Sequence, residues 1–216
     1  MSVRLSFFAL AAAAPAFAGV SYTFDTDAQG WGIVGGAVNF QWDGALGNGG
    51  PGSIRARDLV GGAFDTWFFA APVVDLGDVS DLYGFDISYD IMSIVGVPGT
   101  NNDTAEIVLR GGGIDIGFSF GTPPTLGSWT SWSATVDATS GWRLMDSVSN
   151  STLTATMASE AEIMAVLGDL QGLYIRGEYT NGEDQAALDN VSFVPSPGAL
   201  SLMAIGGLIA GRRRRL

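Results

Sequence analysis

The chain is dominated by segments in which apolar and polar residues alternate with a period of two. The clearest segment runs from Phe85 to Ile91, where four apolar side chains alternate with Asp, Ser and Asp. Successive side chains of a strand point to opposite faces, so this pattern predicts a strand with one buried face. Comparable alternations occur at residues 20–24, 38–42, 107–109, 114–120, 132–136, 173–179 and 191–193. We therefore expect about eight or more strands.

One segment has the periodicity of a helix instead. Ser159 is followed three residues later by Glu162, which is the capping-box pattern of a helix N-terminus. The apolar residues from Ile163 to Leu170 then recur at the spacing of one helical face. Gly168 predicts a weakened or terminating last turn. One short helix is therefore expected among the strands.

Many strands and one helix predict an all-β fold, a two-sheet antiparallel sandwich with one short helix. The glycine content supports this, because 31 of the 216 residues are glycine and they fall between the alternating segments. Long polar or glycine-rich connections are expected at Gly44–Gly52, Ser93–Asn102 and Gly121–Ser128. In such folds the sheets are committed to packing, so binding is expected in these loops.

The first 18 residues have the three parts of a secretory signal peptide. Met1–Arg4 is positively charged, Leu5–Ala14 is apolar, and Ala16 and Ala18 form a small-x-small cleavage site. The apolar run is too short for a permanent span, which needs about 20 residues. A buried N-terminal helix would leave the cleavage pattern unexplained. We predict an exported protein that signal peptidase cuts after Ala18.

The last 23 residues combine two prolines, an apolar stretch at 198–211 and an arginine cluster. The residues concerned are Pro195, Pro197, Arg212, Arg213, Arg214 and Arg215. The arginines are expected to stop export at the cytoplasmic face. This order of parts resembles the PEP-CTERM sorting tail, with Ser196 where that family's name has Glu. The resemblance implies a transient membrane anchor at 194–216, an exosortase-like membrane peptidase as partner, and a final location in the cell envelope or extracellular matrix; a simple anchor helix is the alternative.

Charge and composition exclude several function classes for residues 19–193. All 22 acidic residues but only five of the ten basic ones lie there, which leaves a net charge of −17. Such a surface repels nucleic acid, so nucleic acid is excluded as a partner. The chain has no Cys and no His. Zinc, copper and haem sites built from those residues are therefore excluded, as is a Ser-His-Asp triad.

Two further features of the sequence do not predict a function. Gly47–Gly52 fits a dinucleotide-binding glycine pattern by its letters only, because no strand-to-helix context surrounds it and Pro51 favours a loop. Among the 22 carboxylates, a pair at glycosidase distance is conceivable, but no spacing selects one. We therefore assign no catalytic residue.

Several blocks in the middle of the chain form a distinctive combination. They are Trp67–Pro72, Leu76–Asp78, Tyr83–Asp90, Trp129, Trp142–Arg143, Val166–Leu170, Leu173–Tyr179 and Leu188–Phe193. Together they resemble the laminin domain IV (laminin B) module over residues 53–193. The resemblance implies a jelly-roll sandwich related to galactose-binding modules, without catalysis, spanning residues 19–193. The cysteines of the animal module are missing here.

Three carboxylates form a candidate calcium site. Asp25 and Asp27 flank the end of the first strand, Asp189 lies in the last, and these strands are often neighbours in a jelly roll. Related sugar-binding sandwiches carry a structural Ca²⁺ near such positions, and carboxylate oxygens are the ligands that Ca²⁺ prefers. The alternative is that Asp25 and Asp27 only form a turn and Asp189 only caps a bulge.

Trp129 is the candidate for stacking on a sugar. Trp132 is in phase with the apolar residues that follow it, which predicts a core position, whereas Trp129 has the opposite parity and follows a loop. Core packing is the alternative for either tryptophan. We expect a non-catalytic surface or matrix module that acts in adhesion or polysaccharide association. The alternatives are a glycan-active enzyme on a β-sandwich and a structural matrix protein without a ligand.

Overall fold

The computed structural model describes residues 19–59, 66–96, 99, 104–146, 152–180 and 182–194. These residues contain thirteen strands and one α-helix, α1 (Glu160–Leu167). The strands are β1 (Val20–Tyr22), β2 (Gly32–Val34), β3 (Val38–Asp43), β4 (Ser53–Asp58), β5 (Phe68–Ala70), β6 (Asp86–Val95), β7 (Ile107–Gly111), β8 (Ile114–Phe118), β9 (Thr130–Thr135), β10 (Arg143–Met145), β11 (Leu153–Met157), β12 (Leu170–Arg176) and β13 (Asp184–Val194).

The strands form two antiparallel sheets. The first sheet has the order β3-β4-β13-β6-β9, and β1 pairs with the end of β13. The second has the order β11-β10-β8-β7-β12-β5-β2. Because neighbouring strands are mostly distant in sequence, the sheets depend on long-range pairing. The two-sheet antiparallel sandwich and its single short helix, as expected from the alternation pattern, are confirmed.

The core lies between the two sheets and follows the predicted alternation. On β6, Ile87, Tyr89 and Ile91 are almost fully buried. They pack in one cluster with residues of the second sheet such as Ile107 and Leu109. All members of this cluster and its apolar neighbours fall within residues 20–193.

The capping box of α1 is confirmed. The Ser159 hydroxyl accepts a hydrogen bond from the Glu162 amide, and the Glu162 carboxylate accepts one from the Ser159 amide at 2.8 Å. Ile163 and two further apolar residues face the core. Gly168 ends the helix, as predicted, so Leu170 begins β12 instead of adding a helical turn.

β3 departs from the simple alternation. Asn39 has a left-handed backbone (φ 56°), and the pairing of β3 with β4 shifts register between Val38 and Gln41. Because β3 is an edge strand with this irregularity, Val38 and Trp42 are 40% and 39% exposed. Regular alternation alone could not predict this exposure.

The two ends of the described chain leave the sandwich together. Val20 of β1 pairs with Phe193 of β13, at the end of the sheet where Ile87 begins the buried part of β6. The predicted signal peptide and sorting tail lie outside the described residues. Within the described residues, no helix is long and apolar enough to cross a membrane.

Candidate functional site

The outer face of the first sheet is lined by hydroxyls and carboxylates. We call it the polar face, and its residues are Asp86, Ser88, Asp90, Ser131, Ser133, Thr135 and Ser192. They alternate with buried residues on β6 and β9, so they point away from the core. The face is open enough that Ser131 and Ser133 are exposed.

Cross-strand hydrogen bonds order the polar face. Thr135 donates to Asp86 at 2.6 Å, and the hydroxyls of Ser88 and Ser192 lie 2.7 Å apart. Ser131 donates to Asp90. Each of these pairs joins residues that are opposite or nearly opposite in the sheet. The result is a fixed row of donors and acceptors across three strands.

The loop Gly44–Gly52 folds against one part of this face. The backbone N–H of Asn48 donates to the Asp189 carboxylate at 2.7 Å, and the side-chain amide of Asn48 donates to the Asp90 carboxylate at 2.9 Å. Asn190 donates to Asp90 at 2.8 Å and to the Asn48 carbonyl at 2.7 Å. The loop is thereby held over the middle of β6 and β13.

Asp189 lies at the centre of an oxygen-rich group, which we call the Asp189 cluster: Asp25, Asn48, Asp90, Asp189 and Asn190. Asp189 is completely buried. Burial raises its pKa to about 6, with further contributions from the nearby charges of Asp90 and Asp25, while hydrogen bonds from Asn48 and Asn190 oppose the shift. Three carboxylates therefore influence one another here.

Unusual backbone conformations bring the cluster together. Asn190 has φ 49°, and β13 shifts register between Asp189 and Ser192, which marks a β-bulge. Phe24, directly before Asp25, has φ 50° and a fully buried side chain. Such conformations are costly for residues other than glycine and concentrate at functional sites. Asn tolerates this region better than most residues, which explains its position at the bulge.

The structure brings two of the three predicted calcium ligands together. Asp25 and Asp189 interact electrostatically, whereas Asp27 accepts a hydrogen bond from the Gln29 amide within its own turn at 2.7 Å. Among the described residues, no three acidic side chains are arranged as a metal-binding group. The donors of the Asp189 cluster are nevertheless hard oxygens, which suit Ca²⁺. Calcium binding stays a prediction.

Trp129 lies just before β9 and is half-buried. In β9, Ser131 points outward and pairs with Asp90, while Trp132 packs against the core. Trp129 has the same parity as Ser131, which predicts that it lies on the side of the polar face. The predicted core position of Trp132 is confirmed. That Trp129 binds a ligand stays a prediction.

A second acidic group was not anticipated from the sequence. Trp67 is fully buried and donates from its indole nitrogen to Asp184 at 3.0 Å and from its backbone to Glu178 at 3.2 Å. Burial raises the pKa of Glu178 to about 7 and that of Asp184 to about 6, and the charge of Asp58 raises both further. No spacing in the sequence connects these three carboxylates.

The polar face was also not predicted to be a site, although the alternation pattern indicates which side chains lie on it. The polar half of the alternation in β6 and β9 predicts outward positions as clearly as the apolar half predicts the core. That Asp90 meets Asn48 and Asn190 depends on a loop and a bulge. Neither feature has a periodicity that sequence analysis could detect.

Comparison with solved structures identifies proteins of similar fold. The L4b domain of human laminin alpha-2 matches with a TM-score of 0.50 and 17% identity, over 59% of this chain and 69% of that one. The family 11 carbohydrate-binding module of a cellulosomal cellulase of Clostridium thermocellum matches with a TM-score of 0.52 and 14% identity, over 84% and 96%. An exo-beta-agarase matches with a TM-score of 0.52 and 11% identity, but only 25% of its length is covered.

These similarities confirm the jelly-roll sandwich of galactose-binding type. A search of curated proteins gives no significant match. The family model described as Laminin B (Domain IV) matches residues 68–196, more than half of the chain. The matched segment includes all strands from β5 to β13. The chain therefore belongs to the laminin B (domain IV) family.

Proposed function

We propose that this protein is an exported, non-catalytic module that binds polysaccharide through the polar face, at the cell envelope or in the extracellular matrix. The observation that carries the proposal is a sheet face of hydrogen-bonded hydroxyls and carboxylates that is exposed at Ser131 and Ser133. The half-buried Trp129 directly precedes β9 of this face. The similarity of the fold to a carbohydrate-binding module supports it. Membership of the laminin B family supports an extracellular location.

The chemistry of the face suits a neutral sugar chain. Sugar hydroxyls both donate and accept hydrogen bonds, as do Ser131 and Ser133, while Asp86 and Asp90 only accept them when ionised. An aromatic ring such as Trp129 can stack on the apolar face of a sugar ring. The face is exposed at Ser131 and Ser133 of β9, whereas loop Gly44–Gly52 covers the middle of β6 and β13, so a sugar chain is expected to lie along β9. Affinity for one module is expected to be weak, and many copies on one surface would strengthen attachment.

The same contacts favour binding over catalysis. Asp86 accepts from Thr135, and Asp90 accepts from Ser131, Asn48 and Asn190. These donors hold both carboxylates in place. A glycan-active enzyme would need an acid with a raised pKa that is accessible beside the substrate. The described acids with a raised pKa are Glu106, Glu178, Asp184 and Asp189. Glu106, Asp184 and Asp189 are buried, and Glu178 accepts from the backbone amide of the buried Trp67.

The proposal includes the route by which the module reaches the surface. Signal peptidase removes residues 1–18, and the tail at 194–216 engages an exosortase-like peptidase. β1 and the end of β13 are paired, so both processing sites adjoin one end of the sandwich. Asp86, Ser88 and Ser192 of the polar face lie near this end, whereas Asp90 and Ser131 lie farther from it.

Binding to exopolysaccharide from the native host tests the proposal. We expect the Gly19–Val194 module to bind, and Trp129→Ala and Ser131→Ala to weaken binding about fivefold or more, as expected for a lost stacking or hydrogen-bonding contact. Tyr174→Ala is the matched control, because Tyr174 is also a half-buried aromatic residue but lies in β12 of the second sheet.

Hydrolysis assays on the same polysaccharides test whether the module is also an enzyme. Release of reducing sugar by the purified module would show an enzyme and contradict the non-catalytic proposal. Absence of binding to any polysaccharide would favour a structural matrix protein. Equal binding by the Trp129→Ala, Ser131→Ala and Tyr174→Ala variants would move the site away from the polar face.

A further inference from the structure

An apolar pocket lies at the end of the sandwich where the described chain begins and ends. One side is formed by β1 and β13, and the other by β12 and the 3₁₀ turns Val73–Asp75 and Ser80–Leu82. The pocket contains about 360 Å³ of empty space, part of it open to solvent. Its lining is almost entirely apolar and includes Val20, Leu76 and Phe193. We call it the end pocket.

The surface beside the end pocket is also apolar. Val73 and Val74 are 73% and 86% exposed, and they directly precede Asp75 and Leu76, which line the pocket. Among the described residues, they are the most exposed of the large apolar side chains. Asp75 is held at the pocket by the Tyr22 hydroxyl, which donates to it at 2.8 Å. The pocket and the two valines therefore form one apolar surface with a fixed polar contact at its edge.

The packing of the sandwich does not explain this surface. The turn Val73–Asp75 buries none of its side chains, and Val20, Leu76 and Val79 of the pocket are only half-buried. Exposed apolar surface of this kind is typical of an interaction site. The volume is at the low end of the about 300–1,000 Å³ of small-molecule pockets. The end pocket therefore suits one aliphatic side chain, and its lining offers little to the hydroxyls of a sugar.

The chain itself supplies aliphatic side chains close to the pocket. Phe193 lines the pocket and Val194 is the last described residue. Pro195 and Pro197 oppose continuation of the strand, and Gly198 allows a turn. The segment that follows, residues 199–205, contains four large apolar residues: Leu200, Leu202, Met203 and Ile205. Because the connection is short, their effective concentration at the pocket is high.

Charge favours this segment over other occupants. Residues 19–193 carry a net charge of −17, and the exposed Asp75, Asp78 and Asp81 lie on the turns that form the pocket and on their connection. Residues 199–211 are uncharged and are followed by Arg212–Arg215, so the tail is attracted to this end of the sandwich. A second copy of the module would bring the same negative charge, and an anionic lipid headgroup would be repelled.

We propose that the end pocket binds one aliphatic side chain of residues 199–205 in the protein that still carries its tail. Val73 and Val74 then cover part of the same segment. The docking needs neither sugar binding nor a peptidase, and only its role in sorting rests on the proposed function. In that role the pocket keeps the tail out of water until a bilayer, which offers a larger apolar phase, competes for it.

Cysteine cross-linking tests the docking, because the chain has no cysteine of its own. In the chain Gly19–Leu216, Val74→Cys combined with Ser201→Cys places one thiol beside the pocket and one in the docked segment, and every apolar residue of that segment is kept. Under mild oxidation in buffer without detergent, an intramolecular disulfide should form about tenfold or more faster than in Leu126→Cys combined with Ser201→Cys. Leu126 is the matched position, because it is 47% exposed but lies in loop Gly121–Ser128.

Tail variants separate docking from mere proximity. Replacement of Leu200, Leu202, Met203 and Ile205 by serine keeps the length of the connection but removes the apolar side chains. It should slow formation of the disulfide between the Val74→Cys and Ser201→Cys positions about tenfold, as expected for the loss of one buried aliphatic side chain. The same change at Leu208 and Ile209 is the control and should leave the rate unchanged. These positions lie outside the described residues, so the core of the sandwich is not altered.

Phosphatidylcholine vesicles test the role in sorting. They should slow the cross-link, because the tail then transfers to the bilayer. A rate that the four serine replacements leave unchanged would show proximity alone and overturn the proposal. A disulfide between two chains in place of an intramolecular one would assign the pocket to a second copy and overturn it too. A rate that vesicles do not change would contradict the role in sorting, and none of these results bears on sugar binding by the polar face.

Discussion

Asp189 shows how one residue's chemistry depends on its surroundings. Its carboxylate is completely buried in the last strand, yet it receives hydrogen bonds from the backbone amides of Asn48 and Asn190, both at 2.7 Å. Two further carboxylates raise its pKa beyond the effect of burial alone. A divalent cation would reverse this repulsion, because it stabilises the ionised form of all three acids.

Calcium is therefore expected to stabilise the module. A ligand that binds only the folded state, at a hundredfold excess over Kd, adds about 2.7 kcal/mol to the free energy of unfolding. For a domain of this size that corresponds to a rise of several degrees in melting temperature, about 5 °C. The measurement is thermal unfolding with Ca²⁺ and with EDTA.

Asp25→Asn and Asp189→Ala should each reduce the calcium-induced rise, whereas Asp81→Ala, at an exposed carboxylate elsewhere, should not. The rise should also shrink below about pH 6, because Asp189 then binds a proton instead. Identical melting curves with Ca²⁺ and EDTA would rule out the site. A rise that survives both Asp25→Asn and Asp189→Ala would place the ion elsewhere.

The acids around Trp67 predict the pH dependence of stability without calcium. Folding raises the pKa of Glu178 from 4.5 to about 7 and that of Asp184 from 3.8 to about 6. Between its unfolded-state and its folded-state pKa, each group binds more protons in the folded state than in the unfolded state. The free energy of unfolding therefore falls as pH rises through this window. In EDTA, the melting temperature should be higher at about pH 5.5 than at about pH 8.

Glu178→Gln should reduce this pH difference, because the amide oxygen can still accept from Trp67 but cannot ionise. Glu160→Gln, at an exposed position of α1, is the control and should leave the difference unchanged. An unchanged pH difference in Glu178→Gln would show that this carboxyl does not titrate in the window.

At the scale of elements, the end of β12 depends on close approach between a glycine and a core tryptophan. Gly177 follows β12, and its backbone amide donates to the Trp67 carbonyl at 3.1 Å. A Cβ at Gly177 would overlap the ring of Trp67, which is fully buried and packs on Phe69 with 5.0 Å between ring centres. The ring cannot move without displacing its hydrogen bond to Asp184.

Gly177→Ala should therefore lower the free energy of unfolding by about 2–3 kcal/mol, as overpacking of a core does. Gly32→Ala in β2 is the matched control, because a Cβ there meets no atom within 4 Å. Its effect should stay within about 0.5 kcal/mol. Chemical denaturation of both variants measures the difference. Equal stability of the two would mean that Trp67 can shift at little cost.

At the scale of the whole molecule, loop Gly121–Ser128 and the two ends of the described chain lie at different points along β6. The backbone amide of Gly127 donates a hydrogen bond to the Ser93 carbonyl at 2.7 Å. This bond holds loop Gly121–Ser128 against β6. Phe193, near the end of the described chain, pairs with Ile87 on the same strand as Ser93. Six strand residues correspond to about 20 Å. A module anchored through its tail would therefore carry loop Gly121–Ser128 away from the anchor.

The mature protein is expected to lack both predicted processing segments. Intact-mass analysis of protein recovered from the native host should give a chain that begins at Gly19 and ends before Arg212. Replacing Arg212–Arg215 with glutamine should impair sorting, because the stop at the inner face depends on their charge. Detection of Met1 or of the four arginines on the exported form would contradict the prediction.

Local patterns in the sequence were sufficient for some of the elements, whereas β2, β4, β5, β10 and β11 were not predicted from them. The alternation in β6 and the capping box at Ser159 depend on neighbours within a few residues, so they predicted a half-buried strand and a helix start without any knowledge of the fold. The same parity rule assigned Trp132 to the core. The absence of Cys and His excluded whole classes of site, and no fold can alter that conclusion.

The tertiary structure decided what depends on long-range pairing. Asp25, Asn48, Asp90 and Asp189 meet only because β1, β6 and β13 are neighbours and a bulge at Asn190 redirects the last strand. Trp67 and Asp184, which also lie far apart in the chain, likewise meet through a hydrogen bond in the core. Hydrophobic periodicity determines which side of a strand is buried, but the partner across a sheet or a core is selected by the packing of the whole domain.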